Sequence, residues 1–222
     1  MQQELEKFTE ELKESLKEKL VSVALYGSAT KGEHIPKKSD LNVLVILKQV
    51  SLNAISQNLK LIRRVRSKAN INPVFWSEEE ITGARDVFPV EFEDIKANHK
   101  IIYGTDPFGN LAITNRNLRH QLEFELRSKL LRLRSTWLEL TGNRKKLETF
   151  LAHTGGSFLH LFKYAQKVSN SKLQDELAQP FYACQKLKHK EIAMNLQELE
   201  TLYDKVHKTL IEIVGIVEVA NE

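Results

Sequence analysis

Four positions between residues 25 and 47 have the types and spacing of a site for an anion and its counter-ion. Gly27 and Ser28 form a turn after an apolar strand, Asp40 closes a polar loop, and residue 42 follows two positions later. A Gly-Ser turn leaving a strand offers backbone N–H groups, a hydroxyl and a local positive dipole to an anion, and this suits a triphosphate. Lys31 adds a cation for the same phosphates. Strand side chains alternate, so residues 40 and 42 project on one face, toward that turn. Two carboxylates there would hold Mg²⁺ jointly, as phosphoryl and nucleotidyl transfer requires. Residue 42, however, is Asn42, which brings a neutral oxygen where that chemistry calls for a second charge.

A sheet must hold these groups. Residues 41–47 form an almost wholly apolar run, the mark of a strand buried on both faces, and residues 21–25 read as its neighbour. Leu5, Phe8, Leu12, Leu16 and Leu20 recur at three- and four-residue spacing and predict a helix over 2–20. Leu52, Ile55, Leu59, Ile62 and Val65 predict one helix capped by Ser51, and residues 71–76 a third strand. Ser77-Glu78-Glu79-Glu80 has the form of a capping box, Pro89 suits the first turn of a helix running to 98, and residues 100–103 make a last strand.

The character of the chain changes after the turn Gly104-Thr105-Asp106-Pro107, so a boundary is expected near 108–114, dividing a domain over 1–110 from one over 111–222. Leu118, Leu122, Leu126, Leu130, Leu133 and Trp137 predict a long helix over 115–140, capped by Thr114 and stopped by Gly142. Further helices are expected over 144–168, 171–188 and 195–217. Gly155-Gly156 should weaken or kink the first of these unless close packing needs the missing side chains, and Pro180 should disturb the second. Four antiparallel helices make a bundle.

The Gly-Ser turn, the spacer and the Asp40-Leu41-Asn42 triplet resemble the nucleotidyltransferase superfamily that includes DNA polymerase beta and kanamycin nucleotidyltransferase. Gly27, Ser28 and Asp40 match its pattern, and the order of elements agrees with it. The resemblance implies an α+β fold, a small mixed-sheet nucleotidyltransferase domain followed by an antiparallel helical bundle. It also implies a nucleoside triphosphate held by Gly27, Ser28 and Lys31, with Asp40 as the catalytic and metal-binding carboxylate and Mg²⁺ carried in by the nucleotide. Two departures qualify that implication. Asn42 stands at the second carboxylate position, and the third carboxylate, expected on a later strand, has no candidate in 71–76. Asp86, Glu91, Glu93 and Asp94 lie next in sequence. In two-domain members the helical domain supplies an acid and a base for the acceptor. Here Glu123 or Glu125 with Arg127 or Lys129 stand in such a region, but Arg119, Glu123 and Arg127, at four-residue intervals, are read first as an exposed ion-pair ladder.

The expectation is therefore a nucleotide-binding protein with transfer weak or absent. One alternative is an active Mg²⁺-dependent enzyme passing a nucleoside monophosphate to a small-molecule or protein hydroxyl. A second is a non-catalytic module whose bundle binds a partner or self-associates. With 222 residues, 41% hydrophobic and 28% charged, the chain can fill two modest cores. It has no run of membrane-spanning length, and its charged start and lone Cys184 are those expected of a cytoplasmic protein. The net charge of +4 comes from 33 basic against 29 acidic residues, with clusters such as Arg63-Arg64-Val65-Arg66. Such clusters meet phosphates but are more often solvated helix faces, and without an aromatic stacking platform they do not argue for nucleic acid. His153 and His160, seven apart with no third ligand nearby, are read as packing or surface residues.

Overall fold

A computed structural model describes residues 2–30, 40–170 and 173–220, and divides them between two compact units, Met1–Ile113 and Thr114–Glu222. In the first unit a four-stranded sheet has the order β3-β2-β1-β4, with β1 at Leu20–Tyr26, β2 at Leu41–Leu47, β3 at Ile71–Ser77 and β4 at His99–Gly104. β1 runs antiparallel to both β2 and β4, while β2 and β3 are parallel, so the sheet is mixed. Pro73 lies in β3, an edge strand, where a missing N–H costs no ladder bond on the open side.

Period-two alternation divides the sheet between two cores. On one face Val23, Val43, Val45, Leu47 and Ile71 meet Phe8, Leu12 and Leu16 of α1 (Gln2–Leu16) and Val65 of α3 (Leu59–Ala69), the helix that follows α2 (Leu52–Gln57). On the other, Ala24, Leu44 and Ile46 meet Ile81 of α4 (Glu78–Gly83), Phe92 of α5 (Pro89–Ala97), Phe108 and Leu111. All residues of β2 except Asn42 are buried. Burying one Leu, Ile or Val is worth roughly 1.5–3 kcal/mol, so this strand fixes the sheet in place.

Two helices differ from the sequence expectation for local reasons. α1 stops at Leu16 because Lys17 turns left-handed at φ 50°; after a short 3₁₀ turn Leu20 opens β1 opposite Leu47. The single helix expected from 52 onward is broken at Asn58, which is buried and donates its side-chain amide to the Ala54 carbonyl at 2.9 Å. That side chain competes with the helical ladder and starts α3 afresh. The Ser77 capping box forms as expected, with Glu80 reaching back to the Ser77 amide at 2.8 Å.

The second unit comprises α6 (Asn115–Leu140), α7 (Arg144–Val168), α8 (Gln179–Lys188) and α9 (Leu196–Glu218), a helical bundle. Thr114 caps α6, and the left-handed Gly142 lies in the turn that reverses the chain into α7. Pro180 does not disturb a helix; it sits in the first turn of α8, after a 3₁₀ turn at Asp175–Ala178. α7 is continuous through Gly155-Gly156. A Cβ on Gly155 would lie 2.7 Å from the Cβ of Cys184 and 3.0 Å from the Phe181 carbonyl, so the missing side chain lets α8 pack close. Tyr203 of α9 is buried and donates its hydroxyl to the Leu133 carbonyl at 2.6 Å. Among the described residues no helix is long and apolar enough to cross a membrane.

Two stability predictions follow from the bundle. Gly155→Ala should cost about 1–3 kcal/mol through overpacking, whereas Gly156→Ala, which meets nothing closer than 3.9 Å, should gain ~0.5–1 kcal/mol of helix propensity. Urea unfolding curves decide this. Burial pushes the Cys184 thiol and the Tyr203 hydroxyl each up to about 12, from 9.0 and 10.0. Both acids then ionise first in the unfolded chain, so stability is full below 9.0 and falls as pH rises toward 12. A urea midpoint that stays constant between pH 8 and 11 would refute this coupling.

Candidate functional site

β1 ends at Tyr26, and Gly27 turns the chain with φ 81° into a 3₁₀ turn, Gly27–Thr30. The Gly27 amide donates to the Asn98 carbonyl at 3.3 Å. Thr30 Oγ1 shares its hydrogen between the Gly27 carbonyl at 2.7 Å and the Asn98 carbonyl at 3.0 Å. Gly27 thus contributes its conformation, and its own N–H is already used. A Cβ at Gly27 would lie 3.3 Å from Asn42 Nδ2, so the Asn42 amide rests directly against the glycine turn.

The strand register completes the cluster. Tyr26 of β1 pairs with Asn42 of β2, and Asn42 pairs with Asn72 of the parallel β3, so the three side chains share one face. Asn72 Nδ2 donates to Asp40 Oδ2 at 3.4 Å, while its Oδ1 accepts from Arg66 Nε at 3.0 Å. One amide thereby joins a carboxylate to a guanidinium. Asp40 is exposed at the head of β2. Burial raises the ionisation of Tyr26 above its ordinary 10.0, so its hydroxyl stays neutral beside the site.

Of the sequence candidates, Gly27, Asp40 and Asn42 come together here, Ser28 supplies backbone to the turn, and Lys31 lies outside the described residues. Asp94 holds the side chain of Asn98 through its carbonyl at 3.1 Å. Among the described residues no three His, Cys, Asp or Glu side chains gather as a metal site. In the bundle Arg127 binds Glu123 at 2.8 Å and Glu218 at 3.1 Å, Lys129 lies 3.9 Å from Glu125, and His153 donates to the Thr149 carbonyl at 2.7 Å. These pairs lie at the bundle surface, where solvent screens them.

The basic cluster containing Arg66 is visible in the sequence, but neither a role for Asn72 nor its contact with Arg66 is. The strand 71–76 holds no acid, yet Leu41-Asn42-Val43 and Ile71-Asn72-Pro73 share a pattern, a buried aliphatic residue followed by Asn. That repeat was the available signal for the parallel register.

The sequence model for the nucleotidyltransferase domain matches residues 5–107. That segment, which takes in all four strands of the sheet, has the sequence signature of a nucleotidyltransferase domain. Its fold is similar to that of spectinomycin adenyltransferase AAD(9) from Enterococcus faecialis, whose crystal structure was solved with ATP and spectinomycin. The similarity covers 98% of this chain and 99% of that one, with a TM-score of 0.51 and 13% identity, and at that identity it speaks for the fold alone. No curated protein matches the chain.

The nucleotidyltransferase domain depends locally on its glycine turn. Gly27→Ala should cost about 1–2 kcal/mol, because a left-handed residue with a Cβ is strained and this Cβ presses on Asn42. Unfolding of the purified variant tests it; an unchanged urea midpoint would show that the turn tolerates a side chain.

Proposed function

We propose that the nucleotidyltransferase domain binds a nucleoside triphosphate and transfers its nucleotidyl group weakly or not at all. The carrying observation is the composition of the face beside the glycine turn, which among the described residues has one carboxylate, Asp40, and two amides, Asn42 and Asn72. The backbone of the Gly27–Thr30 turn, with the Ser28 hydroxyl and Lys31, accounts for phosphate binding. Asp40 is the metal-binding carboxylate in this reading.

A pair of Mg²⁺ ions does not fit this donor set. Mg²⁺ demands near-octahedral oxygen ligation and is usually held by carboxylates together with substrate phosphates. Here two of three positions are neutral, and the Asn72 oxygen is engaged by Arg66. Mg²⁺ then arrives on the nucleotide, with Asp40 its one anionic ligand from this cluster. Two-ion chemistry gains several kcal/mol by neutralising charge on the attacking and leaving oxygens, and each 1.36 kcal/mol forgone slows the step about tenfold. Nucleotide binding is less sensitive, since it requires donors and positive potential but no alignment of an attacking oxygen.

Calorimetric titration with ATP and GTP in Mg²⁺, beside a labelled-triphosphate transfer assay, tests the reading. Wild type should bind with little transfer, and the double variant Asn42→Asp, Asn72→Asp should transfer at least about a hundredfold faster, equivalent to ~2.7 kcal/mol in the barrier. Robust transfer by wild type that is lost in Asp40→Ala would establish an active enzyme instead. No binding of either triphosphate would leave the chain as an interaction module.

A further inference from the structure

The geometry points to Arg66 as a phosphate-binding residue that takes the place of a chain-held metal ion, so that the triphosphate binds largely without Mg²⁺. This inference rests on the nucleotide-binding reading above and deepens it. α3 carries a basic run, Lys60, Arg63, Arg64, Arg66 and Lys68. Arg64 is drawn away to Glu11 of α1 at 2.7 Å. Arg66 instead reaches the end of the sheet and donates Nε to Asn72 Oδ1 at 3.0 Å.

That contact sets the guanidinium at the third position of the cluster. From the glycine turn the order across the strands is Gly27, Asn42, Asn72, then Arg66. Strands lie about 4.8 Å apart, so Asn72 stands roughly 10 Å across the sheet from the turn, and the Arg66 fork lies one hydrogen bond farther on, where it would meet the far end of a triphosphate anchored at the turn. A guanidinium has five N–H donors in a fixed fork, and Nε is the one that holds Asn72. Its two terminal nitrogens remain, among the described residues, to grip a phosphate as a fork, the geometry for which arginine is suited.

The charges agree with this placement. Were residues 42 and 72 acidic, the cluster would carry three negative charges and repel a triphosphate unless metal ions intervened. With amides at both positions, Asp40 and Arg66 offset one another, so this cluster of described side chains carries no net negative charge to repel a triphosphate. The amide of Asn72 also suits both neighbours at once, giving its N–H to the anion and its oxygen to the cation. A carboxylate at 72 would bind Arg66 but face Asp40 with like charge.

Calorimetric titration of ATP into the full chain, with Mg²⁺ or with EDTA, tests the inference on wild type, Arg66→Gln and Lys68→Gln. Chelation should change wild-type affinity by less than about threefold. Arg66→Gln should weaken it about tenfold or more in both buffers, the scale of a lost charge-assisted contact. Lys68→Gln, an exposed neighbour in the same basic run, should stay close to wild type. Thermal melts and far-UV circular dichroism check that the exposed Arg66 site folds normally when substituted. Binding that collapses in EDTA and ignores Arg66→Gln would overturn the inference while leaving nucleotide binding standing. Equal weakening by Arg66→Gln and Lys68→Gln would also overturn it, as diffuse attraction. If wild type fails to bind ATP even with Mg²⁺, the nucleotide-binding reading falls and this one with it.

Discussion

The parallel register of β2 on β3 sets Asn42 beside Asn72, and the rest of the candidate site depends on that pairing. It is held from both sides of the sheet, because Val43 and Val45 are buried in one core while Leu44 and Ile46 are buried in the other. A slip of β2 by one residue would exchange its two faces and turn the Asn42 amide toward the leucines and phenylalanines of the opposite core. Unpaired buried amides cost about 1–3 kcal/mol each, so the apolar residues deeper in the strand enforce the positions of the polar ones at its head. The Asp40 contact and the Arg66 contact both pass through Asn72, and so inherit the same constraint.

The other boundary of the site is set by backbone conformation. Gly27 leaves β1 in a left-handed geometry, and the carbonyl of Asn98, just before β4, fixes the start of the turn through the Gly27 amide and the Thr30 hydroxyl. Two strands are thus needed to place one turn, and a third to place the amide against it. The first unit contributes little rigidity through polar contacts at the site itself. Its rigidity comes from the two hydrophobic layers behind the strands, and the site lies where those layers end at Asn42.

Much of this was legible in the sequence where the signal is periodic or chemical. The apolar stripe of α6, its Thr114 cap and Gly142, and the capping box at Ser77 to Glu80 form as their residue types require. What the sequence left open were effects that depend on partners distant in the chain. Asn58 is a cap-forming type and stands at the N-cap of α3, but its side chain makes no cap bond; it breaks the helix because its buried amide donates to the Ala54 carbonyl. Gly155 reads locally as a weak point, yet the identity of its neighbour, Cys184, turns it into a packing device. At the site, Asp40 and Asn42 were visible because they are two residues apart, while Asn72 and Arg66 were not, because only strand pairing brings them there.

Replacing carboxylates by amides at 42 and 72 has a consequence for folding as well as for chemistry. Acids at those two register positions would stand about 5 Å apart, with Asp40 adjacent, and each like-charge pair at that distance costs about 1–3 kcal/mol between the dielectric limits of water and protein surface. A domain with three such acids carries that repulsion whenever no cation is present. Asn42 and Asn72 keep nearly the same shape and retain hydrogen-bonding capacity without the charge, and Asn72 converts the remaining carboxylate and a nearby guanidinium into a linked pair. The cluster is therefore electrically balanced by its own side chains. That balance is local: both hydrogen bonds that hold the cluster pass through the one Asn72 amide.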